Sequence, residues 1–375
     1  MHIDDAADIA VRAERELEAL VGVSSPSGDR PGAEETVALC AAFLPPEFRI
    51  ERVPCSTAGN ADDLVARAPG SGEPRLLLLG HLDTVHDHGA HAPLRHDGER
   101  LRGPGTIDMK GGVVLALGVA RALAARPQRF RELAILLVTD EEWRTAEFAH
   151  VERFAGYDAC LCFEAGERAP DGGEGVVVKR KAAGTVRVRA HGRAAHSGSA
   201  PEHGRSALLA LARTADRLAA HHDPAGPDRL SVVPTILHSG DAFNVVPATG
   251  ELVLDMRADA LAAFEPVVAA VPPLLDDVRL ECVVERRWPG MDSRRQVTAL
   301  LERASTELGR PVVAASRGGA SDASHFAATI PVTVDGLGPR GGGAHTPEEF
   351  VLRETLRTRA EVALAVVDAV LEGQP

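Results

Sequence analysis

The sequence predicts an α/β protein, in which a mostly parallel sheet covered by helices is interrupted by a smaller ferredoxin-like α+β domain. Three observations lead there. Short aliphatic runs at residues 76–79, 133–138, 159–163 and 331–334 are apolar on both faces, as the central strands of a helix-covered parallel sheet are. Between the third and fourth runs, T-V-R-V-R-A (185–190) and E-L-V-L-D-M-R (251–257) alternate apolar and polar residues, as half-exposed antiparallel strands do. Finally, a chain of 375 residues is long for one core, so two domains are expected.

Along the chain, residues 4–21 carry apolar residues at helical spacing, and the loop S-S-P-S-G-D-R-P-G stops that helix before a second one at 33–43. Residues 113–125 form a helix that covers the sheet. From about 184 to 287 the order is strand, helix (204–219), strand (230–237), strand (251–257), helix (260–275) and strand (278–286), the β-α-β-β-α-β order of a ferredoxin-like unit. The predicted division is 1–181 with 290–375 for the larger domain and 182–289 for the insert.

Composition narrows the function classes. Acidic residues outnumber basic ones 54 to 41, a formal charge of −13, so the average field repels nucleic acid and anionic membranes. The N-terminus M-H-I-D-D-A-A-D lacks a basic region followed by an apolar core, and no apolar run approaches a membrane-spanning length. The chain therefore reads as soluble and cytoplasmic. Cys40, Cys55, Cys160, Cys162 and Cys282 lack zinc-ribbon spacing and read as unpaired small residues in a reducing compartment.

Ligands of open α/β sheets collect beyond the carboxyl ends of the strands. The residues that follow each aliphatic run there share one chemistry. G-H-L-D-T-V offers His81 and Asp83; T-D-E-E offers Asp140, Glu141 and Glu142; F-E offers Glu164; and A-H-T, after a glycine-rich loop, offers His345. The loop G-P-G-T-I-D-M-K-G-G before the 113–125 helix adds Asp108. Each has a bland alternative: a structural histidine, a helix cap, a turn-shaping aspartate, an acidic helix start. Their joint occurrence at successive strand ends favours a site. Carboxylates converging on one edge raise one another's pKa unless a cation neutralises them. Imidazoles in the same set favour zinc over a metal that takes only oxygen ligands.

Taken in order, G-H-L-D-T-V, G-x-G-x-x-D-M-K-G-G, T-D-E-E, F-E, G-R-A-A-H-S-G and G-x-x-H-T resemble the motifs of the dizinc aminoacylase and carboxypeptidase G family. That family includes glutamate carboxypeptidases, acetylornithine deacetylases and succinyl-diaminopimelate desuccinylases. The resemblance spans nearly the whole chain. It implies a zinc-hydrolase catalytic domain and an insert that serves as lid and dimerisation domain. It further implies two zinc ions per chain, with cobalt or manganese as substitutes, held by His81, Asp108 as the bridge, Glu142, Glu164 and His345. Asp83 would orient the His81 imidazole, and Glu141 would be the general base. In the insert, His196 would stabilise the developing oxyanion across a homodimer interface, and Asn244 and Arg257 would bind the substrate's free carboxylate. Local packing for His196 and a strand-end salt bridge for Arg257 remain the alternatives. Asp322, in R-G-G-A-S-D-A-S, has a counterpart near the family's substrate pocket and reads equally as a helix N-cap.

The implied reaction is hydrolysis of an amide bond in a small N-acyl amino acid or peptide with a free carboxylate, like that of the glutamate carboxypeptidases. The alternative is a biosynthetic deacylase of the acetylornithine or succinyl-diaminopimelate type. A catalytically silent zinc-binding protein is the third reading, and retention of Glu141 beside five ligands argues against it. Two departures stand out: W-R-T replaces the small turn that usually follows D-E-E, so Trp143 and Arg144 are expected to crowd it, and Ala165 replaces a proline after F-E.

Overall fold

The structure, a computed structural model, describes residues 3–170 and 172–373. The chain forms two compact units. One comprises Met1–Lys179, Met291–Arg317 and Ser321–Pro375, and the other Arg180–Gly290 with Gly318–Ala320. The short outlying piece joins the second unit because Arg180 Nη1 donates to the Gly319 carbonyl at 3.0 Å.

The first unit is built on a six-stranded sheet in the order Arg49–Val53, Asp63–Pro69, Glu132–Val138, Arg75–His81, Ala159–Cys162, Val332–Val334. The last four strands run parallel; the first two pair antiparallel with their neighbours. Because side chains alternate along a strand, the aliphatic runs feed two separate cores. Leu76, Leu78, Leu133, Ile135 and Leu137 join one side with the helices Ile3–Val21, Gly111–Ala124 and Glu354–Glu372. Leu77, Leu79, Leu136, Cys160 and Cys162 join the other, with Phe148, Phe154 and Phe326. Truncating one such buried leucine to alanine costs about 2–5 kcal/mol.

Register places the strand ends together. His81 lies beside Val138, and Leu79 beside Cys162, so residues 140–142 and Glu164 emerge at the same edge as His81. Gly112 lets the covering helix reach that edge, since a Cβ there would meet the Phe163 carbonyl at 1.7 Å.

In the second unit Ala182–His191, Ser231–Ser239, Thr249–Ala258 and Val278–Trp288 form an antiparallel sheet. Ser231–Ser239 is at one edge, followed by Thr249–Ala258, Ala182–His191 and Val278–Trp288. With the helix Ala207–Ala219, this is the expected ferredoxin-like arrangement. The expected 260–275 helix is shorter than its apolar content suggested: a 3₁₀ turn Leu261–Phe264 leads into Glu265–Ala269, and Pro272 and Pro273 follow, which cannot continue the hydrogen-bond ladder. No helix among the described residues is long and apolar enough to cross a membrane.

Candidate metal centre

His81 ends its strand almost fully buried, with Nε2 3.1 Å from Asp108 Oδ1 and 3.7 Å from Glu164 Oε1. His345 Nε2 lies 3.1 Å from Asp108 Oδ2 and 3.2 Å from Glu142 Oε2. Asp108 thus presents one oxygen to each imidazole, and two clusters, His81–Asp108–Glu164 and Asp108–Glu142–His345, share it. All five ligands expected from the sequence come together.

Local backbone explains the placement. His345 adopts φ +63° and Gly343 φ +73°, so the chain doubles back through the left-handed region to bring this imidazole to the cluster. Asp83, two residues after His81, has Oδ1 3.3 Å from His81 Nδ1, while its own carbonyl lies 3.1 Å from the same nitrogen. Its carboxylate also accepts from the backbone N–H groups of Glu141 and Glu142, each at 3.1 Å, and from the Ser27 hydroxyl. Asp83 therefore holds both the imidazole and the turn that carries the two glutamates.

Charge is concentrated here. Burial raises the Glu141 carboxyl well above its usual range, and the nearby Asp322, Glu164 and Glu142 charges add to that. Burial likewise raises Glu142. His345, hydrogen-bonded to Asp108 and Glu142, is pushed up to about 10. Asp108 goes the other way: burial opposes ionisation, but hydrogen bonds from His345 and His81 pull it below the usual carboxylate range. Without a metal, protons on the imidazoles would have to neutralise the carboxylates. Glu142 Oε1 is buried with no hydrogen-bond partner among the described residues. A buried carboxylate oxygen left unsatisfied in a mixed nitrogen and oxygen donor set is what a bound cation would satisfy.

Sequence reasoning missed Glu349, which is buried and clamps the Asp108 loop. Its Oε1 accepts from Ile107 N at 2.8 Å and Asp108 N at 3.0 Å; its Oε2 accepts from Gly105 N at 2.8 Å and lies 2.9 Å from His86 Nε2. The only signal was the pair of glutamates in T-P-E-E-F, just after His345. Lys110 was missed too: fully buried, its Nζ donates to the carbonyls of Leu20, in the last turn of the first helix, and Val23, just beyond it, and burial lowers its pKa to about 8.

The departure after D-E-E resolves differently from expectation. Trp143 is 63% exposed and does not crowd the turn, while Arg144 is buried and paired with Asp140 and Asp322. Asp322 does occupy the N-cap position of the short helix Ala323–Phe326, but its side chain makes no capping bond there.

In the insert, His196 is exposed, and its Nδ1 accepts from Gly198 N at 3.1 Å and Ser199 N at 3.2 Å. That leaves Nε2 as the N–H donor. Asn244 is also exposed and sits close by, its carbonyl accepting from Ser197 N at 3.0 Å. Arg257 is not part of this group. It is the penultimate residue of Thr249–Ala258, whereas Asn244 precedes that strand's start, and both its Nε and Nη2 bond Asp255, at 3.0 and 2.9 Å. For Arg257 the strand-end salt bridge is what forms, because Asp255 lies two residues away on the same face.

The family model for peptidase family M20/M25/M40 matches residues 77–369. The chain belongs to this family. Across M20/M25/M40 relatives, carboxypeptidase G2 of Pseudomonas sp. (strain RS-16) is 28% identical over 94% of this chain and 87% of its own length. Succinyl-diaminopimelate desuccinylase of Methylobacterium sp. (strain 4-46) is 30% identical over 88% of this chain and 89% of its own. Among solved structures, aminopeptidase PepT from Bacillus cereus ATCC 10987 superposes with a TM-score of 0.77 at 21% identity, covering 96% of this chain and 98% of that one. The Bacillus subtilis YXEP protein, described as a dinuclear metal-binding peptidase of the M20 family, gives 0.70 at 17%, covering 97% and 99%. The two structures share the M20 fold with this chain, which is a hydrolase of the M20 metallopeptidase class.

Proposed function

We propose that this M20 hydrolase cleaves the amide bond of a small N-acyl amino acid or peptide with a free carboxylate, at a centre holding two metal ions, zinc by preference. The observation that carries the reading is the shared carboxylate of Asp108, with an imidazole at each oxygen and a further carboxylate beside each imidazole. His81, Asp108 and Glu164 would hold one ion; Asp108, Glu142 and His345 the other. Metal bound there supplies Lewis acidity and lowers the pKa of a bound water to near neutrality.

The chain's own residues supply the rest. Asp83 keeps the His81 ring oriented with its metal-facing nitrogen free. Glu141, buried and with raised proton affinity, takes the proton of the attacking water and returns it to the leaving nitrogen. His196 would offer its Nε2–H across a homodimer interface to the oxygen on which charge develops, with Asn244 beside it as a further polar contact. Arg257 could bind a substrate carboxylate only by exchanging it for Asp255. The insert would also form a homodimer: the outer edge of Ser231–Ser239 is unpaired among the described residues, and Val233, Ile236, Leu237, Leu208 and Leu209 are exposed around it.

The test is a panel of N-acetyl, N-succinyl, γ-glutamyl, aroyl and dipeptide substrates, assayed with wild type and Glu141→Gln after zinc loading. Glu141→Gln should keep its metal and lose about 10²–10⁴-fold in turnover. A Glu141→Gln enzyme as fast as wild type would remove the general base from the reading.

A further inference from the structure

Behind the turn that carries Glu141 and Glu142 lies a buried ionic group for which the metal-ligand set has no use. The Arg144 guanidinium is fully buried. Its Nη1 donates to Asp140 Oδ1 at 2.9 Å, its Nη2 donates to Asp322 Oδ1, and its face lies 4.7 Å from the Phe148 ring centroid. The other Asp140 oxygen accepts from Thr57 N at 2.9 Å and Thr57 Oγ1 at 2.6 Å. His325 stacks on the opposite partner of this contact, with its ring centroid 4.7 Å from that of Phe148 and a tilt of 19°. One guanidinium therefore ties three separate stretches of chain, around Thr57, Asp140 and Asp322, to the residue two positions beyond Glu142.

Two carboxylates and one cation in a dry interior are a poor source of stability, because an apolar side chain of similar volume would avoid the desolvation cost. A guanidinium differs from an apolar filler in direction: its rigid fork fixes two acceptors at a set angle and distance. The turn is already held on its other side by Asp83, which accepts both glutamate N–H groups. Arg144 supplies the opposing hold through Asp140, the residue just before Glu141.

We propose that Arg144 is a positioning residue for the general base, fixing residues 140–142 between Asp83 on one side and the Asp140–Arg144–Asp322 bridge on the other. The proposal rests on Glu141 being the base. Arg144 replaces the small turn of relatives with a charged brace, and Trp143 points outward because the brace takes the inward position.

The experiment compares Arg144→Lys, the neutralised triple variant Asp140→Asn/Arg144→Met/Asp322→Asn, and Glu141→Gln, all zinc-loaded and assayed on the panel substrate that wild type turns over fastest. Lysine keeps the charge without the fork, and the triple variant removes the unpaired charges that would unfold Arg144→Met alone. Both Arg144-altered proteins should keep wild-type zinc content and a KM within about 2-fold, while kcat falls about 10–100-fold, the scale of a misplacement near 1 Å. For the triple variant, that fall should persist at near wild-type Tm. Wild-type kcat in either variant overturns the proposal, as does a loss that tracks zinc content or Tm, or failure of both variants to fold. If Glu141→Gln is itself active, the base assignment falls; if it is inactive while the Arg144 variants are fully active, only the positioning role falls.

Discussion

Replacing Glu349 by glutamine isolates the clamp on the Asp108 loop with almost no change in volume. The carboxylate uses each oxygen twice, and the amide keeps only one oxygen. If the NH₂ takes the place of Oε1, the N–H groups of both Ile107 and Asp108 lose their acceptor; if it takes the place of Oε2, only Gly105 does, because a tautomer with its proton on Nδ1 lets His86 Nε2 accept from the amide. The second arrangement is the cheaper. It orphans one buried N–H at about 1–3 kcal/mol and weakens two remaining bonds by roughly 0.5–1 kcal/mol each through lost charge assistance. A total of about 2–5 kcal/mol is a large part of the ~5–15 kcal/mol that holds a domain together. Urea unfolding of the metal-free protein measures it, alongside zinc retention after dialysis against a weak chelator, which should fall because Asp108 loses its backbone support. A Glu349→Gln protein within about 0.5 kcal/mol of wild type, retaining zinc equally, would show that the clamp is not what holds the loop.

Three further outcomes are expected. His196→Ala should lower turnover about 10²–10³-fold at unchanged zinc content, as loss of one oxyanion donor does; unchanged turnover would rule that role out. Ile236→Lys, on the exposed edge strand, should convert a dimer to a monomer by sedimentation velocity, and a wild type that is monomeric at all concentrations contradicts the dimer. Zinc loading at pH 7 should release about one proton for each imidazole it binds, since hydrogen bonds to Asp108 and Glu142 hold His345 at about 10 and carboxylates hold His81 high against the effect of burial. Calorimetry in two buffers of different ionisation enthalpy reads that number, and no buffer dependence would mean that the imidazoles are already neutral.

The sequence reveals the parts of this protein that repeat a simple period. Strands apolar on both faces, and the insert's alternating strands, follow directly from side-chain alternation, and the candidate ligands His81, Glu142 and Glu164 follow from the strand ends. Elements whose periodicity is broken by buried charge escape it. The helix Glu354–Glu372 carries Arg359 on its buried face, where it bonds Glu174 and the carbonyls of Gly336 and Gly338, and Asp368, which pairs with Arg129. The strand Asp63–Pro69 carries the half-buried Arg67, which meets Glu132 and Tyr157. Glu349 is invisible for a related reason: of two adjacent glutamates, only tertiary context decides that Glu348 stays exposed and Glu349 is buried. Arg144 reads as an obstruction until its two carboxylate partners, one of them 178 positions further along, are seen beside it.

The clamp on the Asp108 loop also bears on the order in which the chain is made. Asp108 is translated early, but the carboxylate that supports its loop and the imidazole at its second oxygen both lie more than 230 positions later. A nascent chain that stops short of them has His81 and Asp108 with neither the clamp nor the second cluster. The paired clusters are therefore complete only once residues 345–349 have been made, and a chain stopped before them holds at most the His81–Asp108–Glu164 group.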